Sequence, residues 1–259
     1  MILTISIPYL ITFLLITLRI SSIVFLAPVF EDLPNGFKIF FVIAFSVSLY
    51  YYSPVKPIYT GDFITLILMG IKEFSLGFII SLIIRLLVDI FFVFGEFVSS
   101  SLGLSNATLL NPLMGNSTIL GTYFSYFSMA LFAASSGFEY VYFVLSDSLK
   151  NIPLGMFDIY NLRPEFILNI FYKSFYTAFQ LALPLIAIGL VMNLILAAVN
   201  RLIPQINVFM VGMPLQTVIG LIFLIFVFPI LGILMHDIFK HYFMYMLEIT
   251  RGYNHGIGK

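Results

Sequence analysis

The chain is a succession of apolar runs, and that leaves it few ways to fold. Six segments, at about 5–30, 38–53, 63–94, 119–145, 169–200 and 208–235, carry most of the length. Runs of ~20 apolar residues read as membrane-spanning helices. The second run is short for a span. The third and fifth are too long for one upright span, so they tilt, kink or project beyond the bilayer. The expected fold is all-α: a polytopic membrane protein of about six long apolar helices. Composition agrees, with 61% hydrophobic and 9% charged residues, against about 25% charged in a soluble domain.

Several function classes fall away. Lys plus Arg and Asp plus Glu balance at 12 each, so no basic patch points to nucleic acid. Cysteine is absent, which excludes disulfides, Cys-ligated zinc and thiol catalysis. The three histidines, His236, His241 and His255, lie near the end of the chain, and the first two are five apart rather than four. No zinc-binding helical pair, nucleophile elbow or phosphate-binding glycine loop occurs. No catalytic residue, metal site or cofactor is expected, and the chain reads as a non-enzyme.

The amino-terminal run continues to about Phe30, well past the core of a cleavable signal, and reads as a retained span. With Trp absent, the cluster Tyr50-Tyr51-Tyr52 is the expected interfacial anchor. Cations Lys56, Lys150, Arg163, Lys240, Arg251 and Lys259 fall on one side of a six-span topology, and Lys38 and Arg201 on the other. That asymmetry places both termini in the cytoplasm.

One interruption differs from the rest. Between the third and fourth runs lies Gly103, Leu104, Ser105, Asn106, Ala107, Thr108, Leu109, Leu110, Asn111, Pro112, Leu113, Met114, Gly115, Asn116, Ser117 and Thr118, with no charge at all. Lipid cannot satisfy its backbone, so at membrane depth it must be buried in protein or line a water-filled path. Such a mid-chain loop gates or closes something rather than merely spanning. A weak boundary lies at 146–168, where charged residues gather. Beyond it, two long helices are joined by a polar corner with Arg201, Pro204, Gln205 and Asn207. Pro204 disfavours continuous helix there. Pro184, Pro214 and Pro229 stand within the helices as kink points. Residues from Met235 onward read as a short cytoplasmic helix that frays.

Ionisable residues inside apolar helices face protein or water. The third run holds Lys72, Glu73, Arg85, Asp89 and Glu96. Arg85 and Asp89 are spaced to pair on one helix face, with Glu96 on the same stripe and Glu73 off it. The seam reads either as an ion relay or as a salt bridge that fixes packing, and the latter suits a stripe carrying its own counter-charge. Arg19, alone in the first run, needs a carboxylate from the third run or from a neighbouring subunit. Glu139 reads as interfacial. The amides Gln180, Asn193, Asn200, Gln205, Asn207 and Gln216 hydrogen-bond between helices. Their concentration points the carboxy-terminal half toward other protein rather than lipid.

These pieces, in order, resemble the FliR family of flagellar type III export gate proteins, whose injectisome relative is SctT. The resemblance is carried by Leu18-Arg19-Ile20, Ala27-Pro28-Val29-Phe30, Pro34 and Lys38, then Glu73, Gly77, Arg85 and Gly95-Glu96. Gly103-Leu104, Ala107 and Asn111-Pro112 follow, and last come Arg201, Pro204-Gln205-Ile206-Asn207 and Gly212-Met213-Pro214-Leu215. It covers essentially the full length. The family often shows Asp for Asn111, Gln for Glu96 and Lys for Gln216.

The resemblance implies a FliP-like helical portion over 1–165 and a FliQ-like helical hairpin with a short cytoplasmic tail over 166–259. It implies partners: FliP-like and FliQ-like subunits in a hetero-oligomeric gate, FlhA-like and FlhB-like proteins, and unfolded export substrates. It implies the inner membrane and the flagellar basal body. It also implies that about Gly103 to Ser117 form a plug that closes the secretion pore, and that much of the gate is lifted out of the bilayer plane. The competing reading is a small multipass transporter using Arg85, Asp89 and Glu96.

Overall fold

The computed structural model describes residues 7–53, 55, 57–58, 62–104, 117–159, 162–203 and 208–252, with backbone alone at 208, 209, 211, 213 and 252. The described residues are helical and include no strand. Helix α1 spans Ile7–Leu26, and a 3-10 turn follows at Pro28–Phe30. Then come α2 (Asn35–Tyr52), α3 (Phe63–Ser101), α4 (Ile119–Ala134), α5 (Gly137–Asn151), α6 (Pro164–Leu202) and α7 (Val208–Gly252).

The all-α expectation holds, with seven α-helices among the described residues rather than six. The difference lies in the fourth run. It breaks where Ser136 adopts a left-handed backbone at φ 60°, and α4 and α5 diverge by 67°. A side chain at Gly137 would strike the Phe132 carbonyl, so the turn can close only on glycine.

Among the described residues, four helices are long and apolar enough to cross a membrane, and five spans result if the bent pair counts as one. Helix α3 has 39 residues, about 58 Å of helix, nearly twice the ~30 Å hydrocarbon core. The tail expectation is corrected. Residues from Met235 to Gly252 continue α7 without a break, and Phe239, Tyr242, Phe243, Met246 and Ile249 are buried. Pro214 and Pro229 do not end this 45-residue helix. Residues 253–259 lie outside the described residues.

The chain divides into two compact units. The first comprises 1–86, 132–170 and 240–259, and the second 87–131 and 171–239. In the first, α1 packs on α2 and buries Leu15, Ile16, Ile20 and Ile23. Phe30 and Phe132 each pack against Phe138, and Tyr140 stacks on Phe243 at 4.2 Å. The far end of α7 is pinned to α5, with Arg251 Nε 3.1 Å from Asp147 Oδ2 and the Thr250 hydroxyl donating to the same oxygen. In the second unit, Phe94 meets Phe124 edge-on at 4.9 Å, and Phe97 meets Phe175 and Phe179. A Cβ on Gly95 would collide with the α4 backbone at Leu120–Gly121, and one on Gly121 would collide with the Glu96 carboxylate. Close backbone approach at small residues is how helices associate where lipid removes the hydrophobic drive. Gly212 abuts Leu196, so α6 and α7 pack side by side just beyond their connection.

Candidate functional site

The uncharged loop leaves α3 and re-enters at α4, and both ends are specified atom by atom. A helix end leaves its last four carbonyls without intrahelical donors. At α3 each has another partner. Gly103, at φ 74°, is the left-handed residue of a Schellman cap. Its N–H reaches the Ser100 carbonyl at 3.4 Å, and the Leu104 N–H reaches that of Ser99 at 2.9 Å. The remaining two are met by side chains of α7. Gln216 Nε2 donates to the Ser101 carbonyl at 2.6 Å, and the Thr217 hydroxyl donates to that of Leu102 at 3.1 Å. Gly189 and Gly220 permit this approach, since a Cβ on either would collide with Ser101 or Leu102.

The return end is capped by a carboxylate. Thr118 Oγ1 accepts the Gly121 N–H at 3.1 Å, as an N-cap does. Glu96 Oε1 in turn accepts both the Thr118 N–H at 2.8 Å and its hydroxyl at 2.9 Å. The negative charge lies at the positive end of α4, where a helix dipole stabilises it. Residues 105–116, from Ser105 to Met114 and on to Asn116, lie outside the described residues, as do Pro204, Gln205 and Asn207 of the corner. Arg201 is exposed near the end of α6.

The charges of α3 separate. Arg85 is on the exposed side of the single chain, Asp89 is half-buried, and Glu96 is engaged with Thr118. Glu73 sits one helical face away and is fully buried. It meets Arg19 of α1, with Arg19 Nε 2.5 Å from Glu73 Oε2 and both side chains at most 1% exposed. Arg19 also donates to Ser148 Oγ at 2.9 Å and to the Ile152 carbonyl at 3.3 Å. Glu73 Oε1 accepts the Gly155 N–H at 2.7 Å. Five groups from α1, α3, α5 and the following turn thus satisfy one another. Any side chain at Gly77 would strike the Arg19 carbonyl and Ser22 Oγ, so the glycine sets how closely α1 meets α3.

Of the amides, Gln216 ties α7 to α3, whereas Gln180, Asn193 and Asn200 stand exposed on α6. The most apolar stretches of α6 and α7 are only 22% and 17% buried within the chain. Sequence reasoning treated Gln216 as a general packing amide and did not single out Thr217, Thr118 or Ser148. Thr118, placed directly before an apolar run, carries the signal of an N-cap. No local pattern marks the other three.

Helices long and apolar enough to cross a membrane, with the two ends of one uncharged interruption tied to them, define a polytopic helical membrane protein. The sequence model of bacterial export proteins, family 1, matches residues 10–242. Flagellar biosynthetic protein FliR of Aquifex aeolicus is 36% identical over 237 residues, covering 91% of this chain and 92% of that protein. FliR of Bacillus subtilis is 27% identical, covering 88% and 90%, and FliR of Escherichia coli is 22% identical, covering 90% of each. The chain belongs to the FliR family of flagellar export proteins.

Proposed function

We propose that this chain is a non-enzymatic core subunit of the flagellar type III export gate in the bacterial inner membrane. It helps to form and to close the channel through which unfolded substrates are secreted. The observation that carries the reading is the outer surface of α6. Asn193 and Asn200, seven residues apart, share one face, and both are exposed among exposed apolar neighbours such as Leu190 and Leu194. Side-chain amides facing lipid have no partner, whereas amides facing another helix do. The face therefore belongs against protein. In this proposal the occupants are FliP-like and FliQ-like subunits, with FlhA-like and FlhB-like proteins acting beside them. In this reading 1–165 is the FliP-like portion and 166–259 the FliQ-like hairpin.

The loop from Gly103 to Ser117 is the plug. It offers hydroxyls, amides and apolar side chains but no charge, so it can seal a conduit without capturing a passing chain. The tied ends favour this role, since they place a loop from fixed points. The transporter alternative needs Arg85, Asp89 and Glu96 to act as one relay, and the engagement of Glu96 with Thr118 counts against it.

Co-expression tests the assignment. Affinity purification of the full chain from membranes will bring down the FliP-like and FliQ-like subunits in one detergent-stable complex. A chain that purifies alone, folded, and carries a solute across vesicles refutes the proposal. A second expectation concerns Arg85. On the exposed side of α3 its charge needs a partner across an interface, so Arg85→Leu will lower the yield of assembled complex severalfold more than it alters conductance. Normal yield with lost export would restore the relay.

A further inference from the structure

We infer that Gln216 and Thr217 are positioning residues for the plug, fixing where its first end leaves α3, while Glu96 fixes where its last end rejoins the fold. The inference rests on the plug reading above. Its ground is the complete hydrogen-bond accounting at the end of α3. The capping turn satisfies the Ser99 and Ser100 carbonyls from within. The Ser101 and Leu102 carbonyls are met from α7, by two donors adjacent in sequence. Adjacent residues on a helix point about 100° apart. They reach successive carbonyls only because Gly189 and Gly220 let α6 and α7 close around that last turn. Gln216 is itself buried, at 6% exposure.

The two ends are held differently. Glu96 is part of α3, so the return end is tied to the same helix from which the loop departs. The departing end depends on a different helix. Pro214, two residues before Gln216, interrupts the backbone ladder of α7. A bend of α7 at that point shifts both donors against the end of α3. The first end of the plug therefore reports the position of α7, while the second does not. Both α7 donors are neutral, so the tie places no charge beside the loop.

The test uses the full chain assembled with its partner subunits in membranes. Gln216→Met and Thr217→Val keep side-chain size and remove only the donors. In the double variant, amide hydrogen exchange at Leu102–Leu104 will be about tenfold faster, the effect of losing a net hydrogen bond or two. Exchange at Thr118 and Gly121 will be unchanged. Glu96→Met will show the reverse pattern. The double variant will assemble normally and leak small solutes above the parent gate, though less than a gate lacking residues 104–114.

A sealed double variant beside a leaking deletion overturns the positioning role and leaves the plug intact. A sealed deletion overturns the plug, and the positioning role with it. Should the double variant fail to assemble, Thr217→Val alone gives the same readouts at lower amplitude. No change in exchange or leak in that variant rejects the inference.

Discussion

Deleting residues 104–114 will make the assembled gate leak small solutes by at least an order of magnitude over the parent, with complex yield largely preserved. The two halves of this expectation have separate physical grounds. Leak follows from the plug reading, in which an uncharged segment at membrane depth is buried in protein or lines a water-filled path, because lipid cannot satisfy its backbone. Preserved yield follows from where the ties lie. Gln216, Thr217, Glu96 and Thr118 all stand outside the deletion, as do the glycine contacts of Gly95, Gly121, Gly189 and Gly220. Gly103 also remains, and Gly115 takes the next position, so the α3 cap keeps its left-handed residue and a following N–H. Dye or ion flux through vesicles bearing the purified complex measures the leak, and gel filtration measures the yield. A sealed deletion complex would falsify the plug assignment.

How far the sequence announces this fold depends on the distance over which each feature is encoded. Helix content is local: long apolar runs with few charges demand internally bonded backbone, and all six runs are helical. The split of the fourth run is less local. Ser135-Ser136-Gly137 is a small-residue break, but its left-handed residue is the serine rather than the glycine, and apolar residues continue on both sides. The end of α7 is less legible, because polarity becomes mixed after Met235 while Phe239, Tyr242, Phe243, Met246 and Ile249 are buried. In a long apolar helix a proline removes one bond without exposing a chain end to water, so the tail expected after Met235 is the same helix.

The candidate site divides in the same way. Arg19 and Glu73 stand out because a charge in an apolar run is costly. Their remaining partners, Ser148, the Ile152 carbonyl and the Gly155 N–H, lie about eighty residues beyond Glu73 and have no pattern. Periodicity placed Glu96 on a stripe with Arg85 and Asp89, yet sharing a helix face does not decide a partner. Glu96 caps α4 because the close crossing at Gly95 and Gly121 brings the amino end of that helix to its carboxylate. Gln216 and Thr217 act through the reach of α7 to α3, which no window along the chain contains.

Glu73→Gln will destabilise the first compact unit by about 3–5 kcal/mol, the cost of leaving a buried charge without its partner. The substitution keeps shape and one oxygen, so the Gly155 N–H retains an acceptor. The oxygen facing Arg19 Nε becomes an amide, and donor then meets donor. Arg19 cannot relax into water, because its side chain is 1% exposed and Gly77 packs α1 against α3 at that level. Ser148 and the Ile152 carbonyl still accept from the guanidinium, but neither carries the opposing charge. Against total stabilities of ~5–15 kcal/mol, a loss of this size removes much of the margin. The paired replacement Arg19→Met with Glu73→Met takes out both charges at once and will cost less than Glu73→Gln alone. Thermal unfolding of the purified complex in detergent, followed by the protection of α1 and α5 from proteolysis, measures both variants. A Glu73→Gln chain as stable as the parent would mean that the guanidinium finds its counter-charge elsewhere, and the ion pair would lose its structural role.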